Sequence, residues 1–170
     1  MLKRVGLTIR SEREDVALSL FDQADALDDA SLVKRLCQAG AQEDTDKLEM
    51  FCQGRLRLTE DTFSLSYEET EISGMEGTQT QLFFCRGERD RVTMTRSGSV
   101  GTTLVFERGV RHVCDYQTPI MPFEVCVYTI GLENRLAMSE GEIGGELELD
   151  YLVEIRGAQT QRCRMHIEVK

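Results

Sequence analysis

Apolar and polar residues alternate along most of this chain. The pattern is most regular near the C-terminus, where every second residue of the stretches 147–155 and 163–169 is hydrophobic. A period of two residues places successive side chains on opposite faces of an extended strand. Both stretches are therefore predicted to be β-strands that turn one face toward a hydrophobic core.

The stretch from Phe63 to Gly109 contains four more predicted strands, separated by short turns. Its pieces 63–69, 80–85, 92–98 and 103–106 are rich in β-forming residues and are bounded by glycine or charged residues. This spacing is typical of consecutive antiparallel strands. The central part of the chain is therefore predicted to be a β-meander.

Four further segments, 5–9, 47–58, 111–116 and 124–130, bring the set to about ten short strands, and no strand-helix-strand rhythm appears. Such a set predicts an all-β protein. The architecture that fits best is a closed antiparallel up-and-down barrel, because closure removes the exposed edges that so many strands would otherwise leave. A chain of 170 residues fits one domain of this kind, here residues 1–170.

One segment after the first strand departs from the alternation. Ser11 and Glu14 have the spacing of a helix capping box, and apolar residues then recur at helical spacing as far as Leu27. A second short helix is predicted from Asp29 to Gly40, where glycine would end it. Residues 14–46 are therefore predicted to form an acidic, helical and partly mobile insertion within the barrel domain.

The chain is strongly acidic, and its charged residues are unevenly distributed. The formal net charge is −10, and residues 12–49 alone hold 11 acidic and 4 basic residues. Nucleic acids and anionic membranes are bound by basic patches that displace counterions, so the composition argues against both partners. Charge-rich segments are most often solvated surfaces, and this is the simplest interpretation of the acidic insertion.

The six cysteines are scattered and form no C-x-x-C pair; they are Cys37, Cys52, Cys85, Cys114, Cys126 and Cys163. Isolated thiols inside apolar stretches usually act as small buried hydrophobes in a reducing compartment. The N-terminal stretch has the pattern of a strand followed by charged residues, and it lacks the continuous apolar centre of a signal peptide. The chain is therefore predicted to be cytoplasmic.

Strand parity places polar residues on the inward faces of two central strands. Tyr67 and Glu69 continue the face of the preceding apolar residues, and Arg96 continues the face of Val92 and Met94. A buried charge is costly unless it is paired, so Glu69 and Arg96 are expected to find partners, each other included. They are interpreted either as a structural ion pair at a barrel end or as the polar end of a ligand pocket. The predicted pocket lining is Tyr67, Glu69, Arg96, Tyr116, Thr129 and Tyr151.

No signature of catalysis, metal binding or cofactor binding is present in the sequence. The two histidines, His112 and His166, lie far apart on predicted strands. Ser97 and Ser99 lack the G-x-S-x-G context of a nucleophile elbow, and the glycines of residues 141–145 precede a strand instead of a helix. We therefore expect a protein without enzymatic activity, with no catalytic residues, no metal and no cofactor.

Six short motifs occur in an order that resembles the YwiB-like family of bacterial proteins, a domain of unknown function. They are Leu65-Ser-Tyr-Glu-Glu69, Met94-Thr-Arg-Ser-Gly98, Phe106-Glu-Arg-Gly109, Tyr116-Gln-Thr-Pro119, Thr129 and Gly144-Gly-Glu-Leu-Glu-Leu-Asp-Tyr151. The resemblance covers residues 47–170 and the first strand. It implies a calycin-type barrel, similar to lipocalins, in a cytosolic bacterial protein, and no established activity. The chain departs from the family pattern at Ile120-Met-Pro122 and in the length of its acidic segment.

Two functional hypotheses remain open. In the preferred one, the barrel binds a small, partly apolar, anionic ligand, with Arg96 as the anchor. In the alternative, the barrel is solid and acts as a structural or protein-partner-binding module, which includes a homodimer of side-by-side barrels. Neither hypothesis involves nucleic acid or a membrane.

Overall fold

The structure is a computed structural model that describes residues 1–21, 31, 34, 36, 45–139, 142–156 and 158–170. Its described strands are β1 (Leu2–Val16), β2 (Asp46–Leu58), β3 (Thr62–Glu68), β4 (Thr78–Cys85), β5 (Glu88–Gly98), β6 (Gly101–Glu107), β7 (Arg111–Gln117), β8 (Pro122–Asn134), β9 (Ala137–Ser139), β10 (Glu142–Ile155) and β11 (Thr160–Val169). A single 3₁₀ turn, Glu71–Ser73, is the one helical element with described bounds.

Ten of these strands close into an antiparallel barrel. Each strand from β1 to β7 pairs with the next, β8 pairs with β10, β10 with β11, and β11 returns to β1. The short β9 pairs with the first residues of β10 outside this ring. The prediction of an all-β, closed antiparallel barrel is therefore confirmed. Among the described residues, no helix is long and apolar enough to cross a membrane.

The barrel interior is packed with apolar side chains. The inward faces of all ten strands contribute to one cluster, in which Leu65, Met94 and Phe106 are fully buried. Phe63 and Phe84 stack on each other with ring centroids 4.6 Å apart. Burial of each such side chain stabilises the fold by about 1.5–3 kcal/mol relative to exposure. Most of the described interior is therefore a core and not an open cavity.

The predicted capping box after the first strand is wrong. Ser11 and Glu14 lie within β1, which pairs with β11 through Val16 and with β2 through Arg13. Ladder bonds on both sides of the strand outweigh the local capping signal, because they satisfy the same backbone groups. The second predicted helix, residues 29–40, lies outside the described residues except at positions 31, 34 and 36.

A second, smaller apolar cluster lies on the outside of the barrel. The segment that follows β1 crosses the outer face of β8 and β10, where Leu20 is fully buried with Cys126, Tyr128 and Leu152. The buried carboxylate of Glu154 accepts hydrogen bonds from the backbone N–H groups of Leu20 and Phe21 and from the Ser19 hydroxyl. This segment is therefore fixed to the barrel by both apolar and polar contacts.

The pairing of β6 with β7 is limited to one end of the two strands. Only Gly101 with Gln117 and Thr102 with Tyr116 are paired, whereas neighbouring strands pair over five residues or more. Beyond them, Gly109 donates its N–H to the Thr129 carbonyl on β8 instead. From Arg111 to Asp115, β7 therefore forms no ladder with β6.

Candidate functional site

The predicted polar residues occupy two rows across the barrel, both near the end where β1 leads into β2. In the first row, Tyr67 pairs with Thr80, Thr80 with Arg96, Arg96 with Thr102, and Thr102 with Tyr116. Because directly paired residues point to the same face of a sheet, all five side chains lie on the inner face. Tyr67, Thr80, Arg96 and Thr102 are buried, and Tyr116 is half-buried.

The second row lies on the strands that complete the ring. Thr129 pairs with Tyr151, Tyr151 with Cys163, Cys163 with Arg13, and Arg13 with Asp46. Thr129 and Tyr151 are buried, as the sequence predicted. The structure thus gathers five of the six predicted residues into two rows, and Glu69 follows β3 at the same end. That these residues bind a ligand stays a prediction.

Arg96 and Glu69 form a buried ion pair with incomplete hydrogen bonding. Arg96 Nε lies 4.0 Å from Glu69 Oε1, and the two side chains are 9% and 3% exposed. The same Oε1 accepts a hydrogen bond of 2.6 Å from the Thr80 hydroxyl. Within the described part of the chain, Arg96 Nε has no hydrogen-bond partner. A buried charged donor without an acceptor is costly, so a group that accepts a hydrogen bond from Nε would be stabilised there.

Two buried tyrosines flank this ion pair. Burial raises the pKa of Tyr67, and the Glu69 carboxylate raises it further, whereas Arg96 acts in the opposite direction. Burial also raises the pKa of Tyr151, which the charges of Arg96 and Arg13 partly offset. Both phenols are therefore neutral at physiological pH. They can donate or accept hydrogen bonds, but they are poorly suited to act as bases.

Arg13 is the main residue at this end that the sequence analysis missed. It pairs with Cys163 and Asp46 in the second row, and its charge acts on Tyr151 together with that of Arg96. A signal for it was present in the sequence, since Ser11 and Arg13 continue the inward face of Val5, Leu7 and Ile9. That signal was overlooked because the same residues also match the start of a helix.

Two adjoining spaces open at this barrel end. The inner one, lined by Tyr67, Glu69 and Arg96, measures about 20 Å³. The outer one measures about 330 Å³ and lies between the start of β2 and the 3₁₀ turn. Four residues line both spaces: Ser11, Arg13, Leu48 and Ser73. The inner space holds about one water molecule, whereas the outer space reaches the lower range of small-ligand pockets.

The loops at this end are held together by a close backbone contact. Gly98, with φ at +121°, is the last residue of β5, two positions beyond Arg96, and a Cβ atom at this position would lie 2.2 Å from the Gly77 carbonyl oxygen. Only glycine tolerates both the positive φ and this approach. The turn between β5 and β6 therefore packs directly against the loop that carries the 3₁₀ turn.

The two histidines line neither of the two spaces at the barrel end. His112 on β7 has its Nε2 3.5 Å from Glu107 Oε2. On the outer face, among the described residues, Glu146, Glu148 and His166 have ligand atoms within 4.8 Å of one another. Both carboxylates are ion-paired with Arg135, which lowers the pKa of Glu146. The Arg135 guanidinium is the partner of both carboxylates, and the prediction that no metal binds stays a prediction.

Comparison with known proteins places the chain in a family. A family model described as a domain of unknown function, DUF1934, matches residues 33–167. The chain belongs to the DUF1934 family. Among solved structures, it is similar to the crystal structure of the YwiB protein from Bacillus subtilis, with a TM-score of 0.69, 16% sequence identity, and coverage of 99% of this chain and 92% of that chain.

The resemblance to YwiB-like proteins is thereby confirmed. At 16% identity the structural likeness shows the fold alone. No curated protein sequence matches the chain. The DUF1934 description assigns no activity. The calycin type of the barrel, the bacterial origin and the cytoplasmic location stay predictions.

Proposed function

We propose that the protein is a non-enzymatic binder of a small, partly apolar, anionic ligand, whose acidic group enters the barrel end and is held by Arg96. The observation that carries the proposal is the buried guanidinium, whose Nε has no partner among the described residues and which lines a space of about 20 Å³. A carboxylate oxygen at this position would complete the hydrogen bonding with a charge-assisted bond, the strongest kind available to arginine.

The charges that line the inner space favour an anion. Arg96 and Arg13 line the inner space together with one acidic residue, Glu69. The local balance is therefore positive, although the whole chain has a formal net charge of −10. The local positive potential raises the concentration of small anions at this point, whereas the acidic remainder of the protein repels them.

The size of the spaces determines how the ligand would lie. The inner space of about 20 Å³ has room for one oxygen atom of the acidic group only. The rest of the ligand would occupy the outer space of about 330 Å³, where Leu48 and Ile72 provide apolar surface. This arrangement is consistent with the filled barrel core, because the ligand binds at the end of the barrel and does not enter its centre.

The side chains near the site favour binding over catalysis. Burial raises the pKa of the thiols of Cys52, Cys114 and Cys163. A thiol of this kind is protonated at neutral pH and is a weak nucleophile. Together with the neutral phenols of Tyr67 and Tyr151, these groups provide hydrogen bonds and packing instead of acid–base or nucleophilic chemistry.

The test is an NMR titration that observes the arginine Nε–H groups, with sodium hexanoate as the probe. The Arg96 signal, assigned by its loss in Arg96→Lys, should shift in a saturable manner as hexanoate is added. The Nε–H signal of Arg55, which is exposed on β2, should not move. An Arg96 signal that stays fixed at saturating hexanoate would contradict the proposal.

A second candidate function is binding of a protein strand, which the incomplete pairing of β6 and β7 favours. The unpaired edge of β7 presents backbone groups that could bond to an added strand, and Val113 on this strand is 58% exposed. Val113→Lys should abolish self-association, measured by light scattering, and capture of a partner protein, measured in a pull-down. Gln53→Lys, on the fully paired strand β2, should abolish neither. Equal behaviour of the two variants would exclude this candidate.

A further inference from the structure

The outer space at the barrel end carries acidic groups from two different elements. Asp46 begins β2, and Glu71 begins the 3₁₀ turn that follows β3. Both line the outer space of about 330 Å³, and both are exposed. No ion pair or side-chain hydrogen bond of either carboxylate is found among the described residues. These two acidic groups are therefore available to a ligand.

The basic residues of the site lie deeper than these carboxylates. Arg13 lines both the outer and the inner space, and Arg96 lines the inner space alone. Lys47 also lines the outer space, but its Nζ lies 3.5 Å from Glu12 Oε1 in an ion pair on the outer face of the barrel. The site is thus ordered from negative at its outer part to positive at its inner part.

This order matters for the kind of anion that can enter. A simple carboxylic acid would pass two carboxylates on the way to Arg96 and would leave both without a partner. A ligand with a second, cationic group could place that group between Asp46 and Glu71 while its carboxylate contacts Arg96. Complementary charge at both ends also fixes the direction in which the ligand enters.

We propose that the ligand is a small zwitterion, such as a free amino acid or a short peptide, with its carboxylate at Arg96 and Arg13 and its ammonium group between Asp46 and Glu71. The inference rests on the proposed function, because it requires the anion site at Arg96. It adds the chemical class of the ligand, and it assigns a recognition role to two acidic residues.

Matched six-carbon probes test the inference. The probes are norleucine, 6-aminohexanoate, hexanoate and hexylamine, and calorimetry measures their affinities together with the shift of the Arg96 Nε–H signal. We expect one of the two zwitterions to bind about threefold to tenfold more tightly than hexanoate, the range set by exposed ion pairs at two carboxylates. Hexylamine should bind most weakly, because it cannot use Arg96.

Substitution of the two acidic residues separates charge recognition from shape. In the double variant Asp46→Asn, Glu71→Gln, the advantage of the zwitterion over hexanoate should disappear while hexanoate still binds. The control is Glu76→Gln, which removes one negative charge at an exposed residue outside the site, in the loop that also carries Glu71. This control should keep the advantage.

Two outcomes would overturn the inference, and they can be told apart. If hexanoate binds as tightly as both zwitterions, or if the double variant keeps their advantage, the ligand class is wrong and the anion site stands. If none of the four probes binds and the Arg96 signal does not move, Arg96 is not an anion-binding site. The proposed function and the zwitterionic ligand class are then both contradicted. Thermal denaturation of each variant confirms that it is folded.

Discussion

Arg96 Nε lies 4.0 Å from Glu69 Oε1, and Thr80, not Arg96, donates the hydrogen bond to that oxygen. Both side chains are nearly excluded from solvent, yet the distance between Nε and Oε1 is too long for a direct hydrogen bond. A purely structural pair would be expected to close this gap. The separation instead leaves the Arg96 Nε–H without a partner among the described residues, so it can bond a third group, and the two interpretations of the pair can be tested against each other.

Glu69→Gln distinguishes these interpretations. Loss of the negative charge should strengthen hexanoate binding severalfold, because Arg96 is then neutralised by the ligand alone. Without ligand the variant should lose about 1–3 kcal/mol of unfolding free energy, the cost of a buried charged donor that has lost its partner. Urea denaturation with and without hexanoate measures both effects. Hexanoate affinity equal to that of the wild type would favour a structural pair.

The buried tyrosines predict a loss of stability in alkali. Their pKa values are raised in the folded state, so they keep their protons above pH 10 while the same groups in the unfolded chain lose theirs. The unfolded state then binds fewer protons, and the unfolding free energy falls by up to about 1.4 kcal/mol per pH unit for each group.

Denaturation between pH 9 and pH 12 checks this prediction. Tyr67→Phe and Tyr151→Phe should each make the decline with pH shallower, and the double variant should make it shallower still. A decline that is unchanged in the double variant would show that these two phenols are not responsible for it.

The packed interior predicts large effects of truncation. Leu65 is fully buried in the barrel core, so Leu65→Ala should lower the unfolding free energy by about 2–5 kcal/mol, through lost burial and the cavity left behind. Leu2→Ala is the control, because Leu2 is 71% exposed at the start of β1. Equal effects of the two substitutions in urea denaturation would contradict a filled barrel.

Glu154 predicts a local effect on the segment that follows β1. Its carboxylate accepts hydrogen bonds from the Leu20 and Phe21 N–H groups, and an amide in its place would turn a donor toward them in one of its orientations. Glu154→Gln should therefore accelerate hydrogen exchange at Leu20 and Phe21 much more than at Val127 in the core. Unchanged exchange at Leu20 and Phe21 would show that the apolar contacts alone fix this segment.

The barrel could be predicted from the sequence because strand parity is a local property that the long alternating stretches repeat many times. The same parity placed Tyr67, Glu69, Arg96, Thr129 and Tyr151 inside, where the structure has them. Local signals failed where two patterns compete, since residues 11–14 fit both a helix start and a continued strand. Pairing with β2 and β11 decides between them, and that pairing is not visible in a single segment.

The size of the site could not be predicted from the sequence. Whether a barrel is open or filled depends on how side chains from opposite strands meet, and the pattern of one strand does not contain that information. Asp46 and Glu71 were overlooked for a related reason: they belong to different elements, and only the fold brings them to the same space.

Native mass spectrometry of the protein purified from its own organism tests the central claim most directly. The account predicts one small molecule bound per chain, released on denaturation and carrying a carboxylate. It should be absent from Arg96→Gln and retained by Arg55→Gln, which makes the same change on the exposed face of β2. A bound molecule that Arg96→Gln retains, or a protein that stays unliganded after incubation with saturating hexanoate and norleucine, would contradict it.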